Sequence, residues 1–457
     1  MELPGGVRRL LQTLTDQGHE AWVVGGAVRD QLLGLEPVEW DVATSARAEE
    51  VAALFPRVIA TGLRHGTVTV LLDGHPTEVT TYRGGAAWSG EEGVFVGSIE
   101  EDLARRDLTI NAMALDPLRS RFLDPAGGRA DLQRRCIRAV GDPDERFDED
   151  PLRPMRAVRF AARFGFVLER GTRRAMGRHA ARLGGVAVER IQHELSRILL
   201  SDHPRYGIEL LRRTGLLREV LPELLEGLGM RQNRFHRYDV YHHVLRALDA
   251  APGELTIRLA TLLHDIDKPR TAAPSEKSPG DLTFHNHEFS GAERAKEICL
   301  RLRFPNRVCE EVQHLVREHQ FVYTDEWSDA ATRRMIARVG RERLEPLMAV
   351  READIRGRGF FVEEGLANLR ALRERVDSLL REDAAFRIRD LDIDGADVMR
   401  TLRLGPSPRV GEALRWLLQQ VLEDPSRNRR EELLRLLEEY QKETTGNPQG
   451  GAGDSGL

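Results

Sequence analysis

A change in hydrophobic periodicity near residue 140 most constrains how this chain can fold. Before it, the apolar run AWVV (21–24) and the alternating residues of TVTVLLDGHPTEVTTYR (67–83) predict strands, with a hairpin turn at Asp73-Gly74. After it, apolar residues recur at helical spacing almost to the end of the chain. The sequence therefore predicts an α+β domain followed by helical domains.

Overall composition narrows the class of protein further. A length of 457 residues predicts two to four domains. No run of 18 apolar residues occurs, so we expect no membrane span, and the first residues lack the apolar stretch of a secretion signal. The three cysteines lie too far apart for a disulfide framework or a CxxC zinc cluster (Cys136, Cys299 and Cys309). These features predict a cytoplasmic protein.

Positive charge is concentrated between residues 151 and 215. This segment holds 14 arginines and 5 acidic residues, a local net charge of +9 in a chain whose net charge is −5. A basic segment within an acidic chain is typical of a protein that binds a polyanion. The alternative is a set of helices with solvated arginine-rich faces.

Three acidic residues in the first domain form a candidate catalytic group. Glu39 and Asp41 are two residues apart in a predicted strand over 38–44, so strand geometry places both carboxylates on one face. Glu78 lies in another predicted strand and can face them from a neighbouring position. Convergent carboxylates of this kind suit two Mg²⁺ ions, which can activate a hydroxyl and stabilise a leaving pyrophosphate.

A glycine pair lies just before these acids, at a predicted strand-to-helix turn. Gly25 and Gly26 let backbone N–H groups approach a triphosphate, and the helix N-terminus favours an anion. Arg29, one turn later, can pair with a phosphate.

Together these motifs resemble the head of the class II tRNA nucleotidyltransferases and bacterial poly(A) polymerases, members of the polymerase-β-like superfamily. GGAVRDQLLG is followed by EWDVATSA, and the resemblance continues through ARRDLTINAMALDP (104–117), DEDPLRPMRAVRFAARFGF (148–166) and VERIQHEL (188–195). The blocks occur in the order and spacing of the family.

The resemblance implies a role for each matching residue. It implies metal binding and catalysis by the acidic group, Glu39, Asp41 and Glu78. It implies binding of the nucleotide triphosphate by Gly25, Gly26, Arg29, Arg105, Arg106, Asp107 and Asn111. It implies that Asp150 and Arg153 form a protein template that hydrogen-bonds the base of CTP or ATP. Arg156 and Arg159 would bind the nucleotide and Arg163 the RNA, with solvent exposure as the alternative. The implied partners are the tRNA 3′ end, CTP, ATP and Mg²⁺.

Two departures from the family pattern bear on specificity. The family's metal pair is usually D-x-D, but Glu39 replaces the first Asp here. The longer side chain shifts the carboxylate by about one bond length, and since Mg²⁺ requires strict octahedral geometry, the shift can change the rate or the metal preference. The segment GGAAWSGEEGVFVGSI (84–99) stands where CCA-adding members carry a D-x-R-R-P-like stretch. The resemblance implies a tRNA nucleotidyltransferase that adds C, A or both to the tRNA 3′ end and releases pyrophosphate. Because of the altered segment, our narrower hypothesis is addition of C only, with a separate A-adding enzyme completing the end.

A histidine cluster in the middle of the chain predicts a second metal site. Eight of the 14 histidines fall between residues 236 and 319. This part resembles the HD superfamily of metal-dependent phosphohydrolases, with HDIDKP in place of HD-I-G-K-P, so that Asp267 replaces Gly. The resemblance implies a divalent transition metal held by His243, His264, Asp265 and His287, with His319 as a further candidate. Both an active hydrolase and a structural or RNA-docking domain remain open.

The predicted organisation is a nucleotidyltransferase head (1–140), a helical neck with the template (141–225), an HD domain (226–330), a helical tRNA-binding region (331–442) and a disordered tail (443–457). Alternatives within the same chemistry are a poly(A) polymerase, whose usual basic C-terminal extension is lacking here, and an A-adding enzyme. From other classes, a pure HD phosphohydrolase acting on RNA ends or cyclic nucleotides and a non-catalytic tRNA-binding factor stay open.

Overall fold

A computed structural model describes residues 3–62, 66–82, 97–276, 278–324, 326–382 and 385–445. The chain forms two compact units. The first contains residues up to 225 together with 298–304, and the second contains residues 226–297 together with the rest of the chain from 305. No helix in the described ranges combines the length and apolar character needed to cross a membrane.

The first unit is built on a mixed seven-stranded sheet with the strand order β3-β4-β5-β2-β1-β6-β7. Its strands are β1 (Ala21–Val24), β2 (Trp40–Thr44), β3 (Val58–Gly62), β4 (Thr67–Leu72), β5 (His75–Thr81), β6 (Ala114–Asp116) and β7 (Arg121–Leu123). Only the β2–β5 pair is parallel. The predicted α+β head is confirmed.

Local sequence explains two features of this sheet. The hairpin between β4 and β5 turns at Asp73 (φ 52°) and Gly74 (φ 78°), and two residues at positive φ give the turn whose twist matches paired strands. The predicted strand over 38–44 is shorter than expected, because β2 begins at Trp40 and leaves Glu39 in the preceding bend.

Helices cover the sheet and continue into the neck. They are α1 (Gly5–Asp16), α2 (Gly26–Leu32), α3 (Ala48–Leu54), α4 (Ile99–Ala104), α5 (Gly128–Gln133), α6 (Pro143–Glu149), α7 (Arg153–Phe164), α8 (Arg170–His179), α9 (Val188–Leu199), α10 (Pro204–Arg213) and α11 (Leu216–Val220). A two-stranded parallel sheet, β8 (Cys136–Ile137) with β9 (Val167–Leu168), lies among the neck helices. Helix α7 packs a strongly apolar face against α9 and α10, which fixes the polar face that it presents to the site.

The second unit is helical apart from the short pair β10 (Ala273–Pro274) and β11 (Leu282–Thr283). Its helices are α12 (Val240–Ala250), α13 (Leu255–Leu263), α14 (Lys268–Thr271), α15 (His287–Arg301, which ends in the first unit), α16 (Asn306–Glu318), α17 (Asp329–Val339), α18 (Leu344–Arg358), α19 (Val362–Arg381), α20 (Gly395–Leu402), α21 (Pro408–Glu423) and α22 (Arg430–Thr445).

Two cores stabilise this unit. Helices α12, α13, α16 and α18 pack around the histidine-rich region, and α20–α22 enclose a separate apolar core that includes Val398, Leu417 and Leu437. Helix α22 reaches Thr445, three residues into the segment predicted to be disordered, and residues 446–457 lie outside the described residues.

Candidate functional sites

The acidic group predicted from sequence converges at one edge of a cavity in the first unit. Asp41 on β2 pairs in register with Glu78 on the parallel strand β5, so their side chains are direct neighbours on one face of the sheet. Glu39 lies outside the strand, yet it lines the same cavity as the other two acids. The cavity has a volume of about 1400 Å³.

These acids affect the protonation of Asp41. Burial and the neighbouring charge of Glu78 raise the pKa of Asp41 from 3.8 to about 6, while Arg106 opposes the shift. A buried carboxylate whose pKa is raised by neighbouring acids lies in a site where a divalent cation is favourable, because the cation supplies the missing counter-charge. The donor set of carboxylate oxygens fits Mg²⁺.

The glycine turn lies directly beside this group. Gly25 caps α2 at φ 68° and ψ −123°, a conformation that side-chain-bearing residues rarely adopt. A Cβ placed at Gly25 would lie 2.9 Å from Nη1 of Arg106, whereas one placed at Gly26 would meet nothing closer than 3.5 Å. The turn therefore requires glycine at the first position more strictly than at the second.

A buried polar chain links the turn to the neck. Arg29 donates to Asp30 Oδ1 (2.8 Å) and to Asn111 Oδ1 (2.6 Å). Asn111 donates to Asp107 Oδ1 (3.1 Å), and Arg156 donates from Nε to Asp107 Oδ2 (2.7 Å). The network holds residues from α2, the RRD block and α7 in one arrangement.

Asp107 is the central acid of this network. Burial on its own would raise the pKa of Asp107, but the charge of Arg156 and the hydrogen bond from Asn111 outweigh burial and lower the pKa to about 2. The carboxylate is thus ionised at neutral pH and orients Arg156 toward the cavity, which both side chains line.

The two template residues are held by different partners. Asp150 accepts a hydrogen bond from Arg190 Nη2 (2.8 Å), and Arg153 donates to Glu149 Oε2 (2.8 Å) and to the carbonyl oxygen of Arg105 (3.2 Å). Both line the cavity, and the backbone N–H of Arg153 donates to the carbonyl oxygen of Asp150 (3.0 Å).

The three helical arginines after the template lie in different environments. Arg159 is buried and pairs with Glu194 at 3.2 Å, so it is neither a solvated arginine nor an open phosphate contact. Burial lowers the pKa of Arg159 to about 10. Arg163 is partly exposed and contacts Asp30 at 3.3 Å. Arg106, Arg156, Arg159 and Arg163 all line the cavity.

Sequence reasoning did not single out the α9 wall of this cavity. Arg190, His193, Glu194 and Arg197 all line it from one helix. Their spacing of three and four residues places them on one helical face. This spacing within and just after VERIQHEL was the available signal.

In the second unit, three predicted histidines are oriented by backbone carbonyls. His264, His287 and His319 each place Nδ1 within 2.7 Å of the carbonyl oxygen three residues earlier, those of Thr261, Phe284 and Val316. Such a bond fixes the tautomer in which Nδ1 carries the proton and leaves the Nε2 lone pair available to a metal.

These Nε2 atoms converge on Asp265. Its Oδ2 lies 3.3 Å from His243 Nε2 and 3.2 Å from His264 Nε2, and its Oδ1 lies 3.4 Å from His287 Nε2 and 3.8 Å from His319 Nε2. The structure thus brings together all four predicted ligands and the further candidate His319. The donors form two groups that share Asp265.

Asp354 on α18 is a member of the cluster that sequence reasoning missed. Its Oδ1 lies 3.3 Å from His243 Nε2, while Arg351 and Arg358 bind its Oδ2 at 2.5 and 2.8 Å. The available signal was an acid between the apolar residues Ala353 and Ile355 of helix α18, most of whose faces are buried.

Buried atoms of the cluster are orphaned, meaning that they lack a hydrogen-bond partner in the described part of the chain, which indicates that the residues fit a metal. Asp265 Oδ1 and His287 Nε2 are buried and have no hydrogen-bond partner among the described residues. Burial works against the ionised form of Asp265, but His264 and Lys268 hold its pKa well below the usual range. Burial lowers the pKa of His319 well below its usual value, so this ring stays neutral. A neutral imidazole and an ionised carboxylate are the ligand forms that divalent metals require. Burial works to lower the pKa of His243, but Asp265 and Asp354 raise it, so a metal bound there must displace a proton from this ring.

The unusual Asp267 of HDIDKP does not add its charge to the cluster. It is buried, and Arg294 contacts Asp267 Oδ1 at 3.4 Å while donating to the carbonyl oxygen of Ile266 at 3.0 Å. Its φ of −103° is open to any residue, so the turn does not need the glycine that is usual at this position.

Comparison with known sequences places these sites in a family. Sequence models of the "Poly A polymerase head domain", the "Probable RNA and SrmB- binding site of polymerase A" and the "HD domain" match residues 21–138, 165–228 and 235–356. The last range includes Asp354, which lies beyond the end of the HD domain predicted from sequence.

Individual relatives agree. An A-adding tRNA nucleotidyltransferase of Deinococcus radiodurans is 37% identical over 428 residues, which are 87% of this chain and 91% of that protein. A CCA-adding enzyme of Levilactobacillus brevis is 46% identical over 213 residues, 46% of this chain and 53% of that enzyme. The crystal structure of the Bacillus stearothermophilus CCA-adding enzyme in complex with CTP matches with a TM-score of 0.74 and 30% identity, over 98% of this chain and 100% of that one.

The fold and the two sites define a polymerase-β-like nucleotidyltransferase joined to an HD domain. The chain belongs to the family of tRNA nucleotidyltransferases and bacterial poly(A) polymerases, as the sequence motifs predicted.

Proposed function

We propose that the chain transfers nucleotides from CTP, ATP or both to the 3′-hydroxyl of tRNA and releases pyrophosphate, using Glu39, Asp41 and Glu78 to hold Mg²⁺. The observation that carries this proposal is the pairing of Asp41 with Glu78 on parallel strands, at the edge of a cavity whose other wall is rich in arginine. Bound Mg²⁺ would supply activation of the hydroxyl and stabilisation of the leaving pyrophosphate.

The protein's own groups position the nucleotide. The backbone N–H of Gly25 donates to the carbonyl oxygen of Met113 (3.3 Å), so the N–H groups from Gly26 onward, at the start of α2, would bind the phosphates. Arg105 and Arg106 add positive charge beside them. Arg29 acts indirectly, because its guanidinium is occupied by Asp30 and Asn111 and thus stabilises the turn.

Asp150 and Arg153 select the base. Asp150 offers acceptors and Arg153 a fork of donors, which suits the edges of cytosine and adenine. In the structure Arg190 hydrogen-bonds Asp150, and Arg153 hydrogen-bonds Glu149. A bound base must therefore displace or share these partners.

Two variants test these roles. Asp41→Ala should abolish incorporation at saturating Mg²⁺, while Glu36→Ala, an exposed acid outside the cavity, should leave it intact. Arg153→Ala should impair the choice of base more than the binding of triphosphate. Substantial activity of Asp41→Ala would contradict the metal assignment, and unchanged base choice in Arg153→Ala would contradict the template.

On specificity we propose addition of C only, with a separate A-adding enzyme in the same cell. The support is the sequence GGAAWSGEEGVFVGSI, which lacks the Arg-Arg-Pro of CCA-adding members. Residues 83–96 lie outside the described residues. A second candidate is addition of A only, favoured by the Deinococcus relative, which is named an A-adding enzyme and matches over most of its length.

Three tRNAs distinguish these outcomes: one without the CCA end, one ending after the first C, and one ending after CC. Each receives CTP and ATP, and the 3′ ends are sequenced. Growth that stops at CC supports addition of C only. Addition of A only to the CC-ended tRNA supports the second candidate. Completion to CCA contradicts both, and long A tails indicate a poly(A) polymerase.

For the HD domain we propose metal-dependent hydrolysis of phosphate esters at RNA ends, such as 2′,3′-cyclic phosphates. The orphaned Asp265 Oδ1 and His287 Nε2 support a transition-metal site formed with His243, His264 and Asp354. Hydrolysis of 2′,3′-cyclic AMP should depend on added Mn²⁺ or Ni²⁺ and be lost in His264→Ala. Equal hydrolysis by His264→Ala would contradict the assignment, and no hydrolysis with either metal would favour a structural or RNA-docking domain.

A further inference from the structure

The metal cluster of the second unit opens into a cavity of about 750 Å³. Asp265, Lys268 and His319 line its inner end, and Phe235 and Phe361 also line it. The volume lies in the range of small-ligand sites. Polar groups at the inner end and aromatic side chains elsewhere in the lining suit a ligand that has both a charged and an apolar part.

Two phenylalanines at this cavity are unusually exposed. Phe235 is 47% exposed and Phe361 is 60% exposed, although large apolar side chains normally lie in the core. Their ring centroids are 5.8 Å apart and the ring planes are tilted by 59°. The guanidinium of Arg234 lies 5.4 Å from the Phe235 ring centroid, which places a cation at the same surface.

The backbone holds Phe361 in an unfavourable conformation. Its φ is 55° and ψ is 30°, in the left-handed region that a bulky residue seldom occupies. Strained residues of this kind persist where the surroundings fix them and cluster at ligand sites. The position of the Phe361 ring is therefore set by the fold.

The inner end of the cavity suits a phosphate group. Lys268 Nζ lies 2.7 Å from Asp265 Oδ2 and faces the cavity with the orphaned His287 Nε2. The aromatic pair is joined closely to this end, because Phe235 precedes His236, whose ring lies 4.9 Å from that of His243. The rings and the cluster thus line one continuous cavity.

We propose that Phe235 and Phe361 form a stacking platform for the base of the nucleotide whose phosphate is bound at the histidine cluster. This inference rests on the proposed hydrolase function and specifies its substrate as a nucleotide or RNA 3′ terminus with an unpaired last base. Aromatic rings bind any base through its π face, so the platform selects a base over a bare sugar phosphate without choosing among bases.

The test compares two substrates of the full-length protein loaded with Mn²⁺: 2′,3′-cyclic AMP and ribose 2,3-cyclic phosphate, which lacks the base. Phe361→Ala should raise KM for 2′,3′-cyclic AMP by about tenfold, the range expected for loss of one stacking ring, and leave kcat nearly unchanged. KM for the base-free ester should not change. Phe361→Trp should retain a low KM for the nucleotide.

Phe360→Ala is the matched control. Phe360 is the next residue along the chain and is also exposed, at 44%, but it does not line the cavity. Its replacement should leave both KM values unchanged. Equal KM for the two substrates, or no effect of Phe361→Ala on either, overturns the platform even if hydrolysis is robust.

A binding measurement separates the platform from the hydrolase. Binding of 3′-AMP to the Mn²⁺-loaded protein is measured by calorimetry, with Arg153→Ala present throughout to weaken base binding in the head. If no protein hydrolyses either ester but Phe361→Ala weakens 3′-AMP binding and Phe360→Ala does not, the hydrolase proposal fails and the platform stands. Absence of 3′-AMP binding, or binding that is insensitive to Phe361→Ala, overturns the platform.

Discussion

The carboxylate of Asp107 offers the sharpest test of the electrostatics in the head. Asp107→Asn keeps the shape of the side chain but removes the charge that Arg156 contacts at 2.7 Å. The fall in the pKa of Asp107 from 3.8 to about 2 corresponds to about 2.4 kcal/mol of folding free energy at neutral pH, at about 1.36 kcal/mol for each pH unit. We expect Asp107→Asn to lower the free energy of unfolding of the head by about this amount.

The pH dependence follows from the direction of the shift. A carboxyl group whose pKa is lower in the folded state stabilises the fold fully above its unfolded-state pKa, here 3.8, and loses that contribution as pH falls toward about 2. The difference between the wild-type protein and Asp107→Asn should therefore be constant from pH 7 to 5. It should fall to about half near pH 3.

Hydrogen exchange read by mass spectrometry is the suitable assay, because a chain with two compact units need not unfold in one step. Peptides from β1 and β6 report the opening of the sheet. The same measurement on Arg156→Gln and on the double variant gives the coupling energy of the pair. A difference that does not shrink between pH 5 and 3, or a coupling energy near zero, would refute the assigned role of Arg156.

Three further predictions concern other parts of the structure. Gly25→Ala should lower the melting temperature and Gly26→Ala should not, because only the first is held at positive φ against Arg106; equal melting temperatures in calorimetry would contradict this. Arg294→Ala should destabilise the second unit by about 3 kcal/mol in exchange measurements by leaving Asp267 buried without its cation, and adding Asp267→Gly should recover part of the loss; no recovery would place the effect elsewhere. Removal of metal by EDTA should speed exchange around the histidine cluster and leave the head sheet unchanged; no difference at the cluster would show that no metal was bound.

The sequence was sufficient to predict the elements that depend on local pattern. The alternation on either side of Asp73-Gly74 fixed a hairpin, and the apolar run before Gly25 fixed a strand, because both depend on residues that are neighbours in the chain. The start of β2 was less predictable. The first β2–β5 pair is Trp40 with Thr77, and the residue of β5 that would come opposite Glu39 is Pro76, which has no N–H to donate.

Sequence pattern could not predict the side-chain environments that residues distant in the chain create. That Arg29 pairs with a phosphate stays a prediction, and sequence pattern did not show that the fold also brings Asn111 and Phe160 to its guanidinium. The helical spacing of Arg159 and Arg163 was correct. Their environments differ because Arg159 pairs with Glu194 in the neck and Arg163 with Asp30 in the head. Helical periodicity does not predict such contacts.

In the histidine cluster, too, sequence pattern identifies residues that are adjacent in the chain but not one that is distant. His264 and Asp265 could be recognised because they are adjacent, whereas Asp354 is identified only by its position 3.3 Å from His243. Arg351 and Arg358 bind Oδ2 of Asp354, and Arg358 also donates from Nε to Oδ1 (3.4 Å), the oxygen that lies nearest to His243. An acid held in this way by two buried or half-buried arginines keeps its charge without a metal, since they hold its pKa well below the usual range against the effect of burial. Packing of α18 against α12 and α13 therefore places an ionised carboxylate beside the histidines, so the cluster is a property of the helical fold as much as of the His-Asp motif.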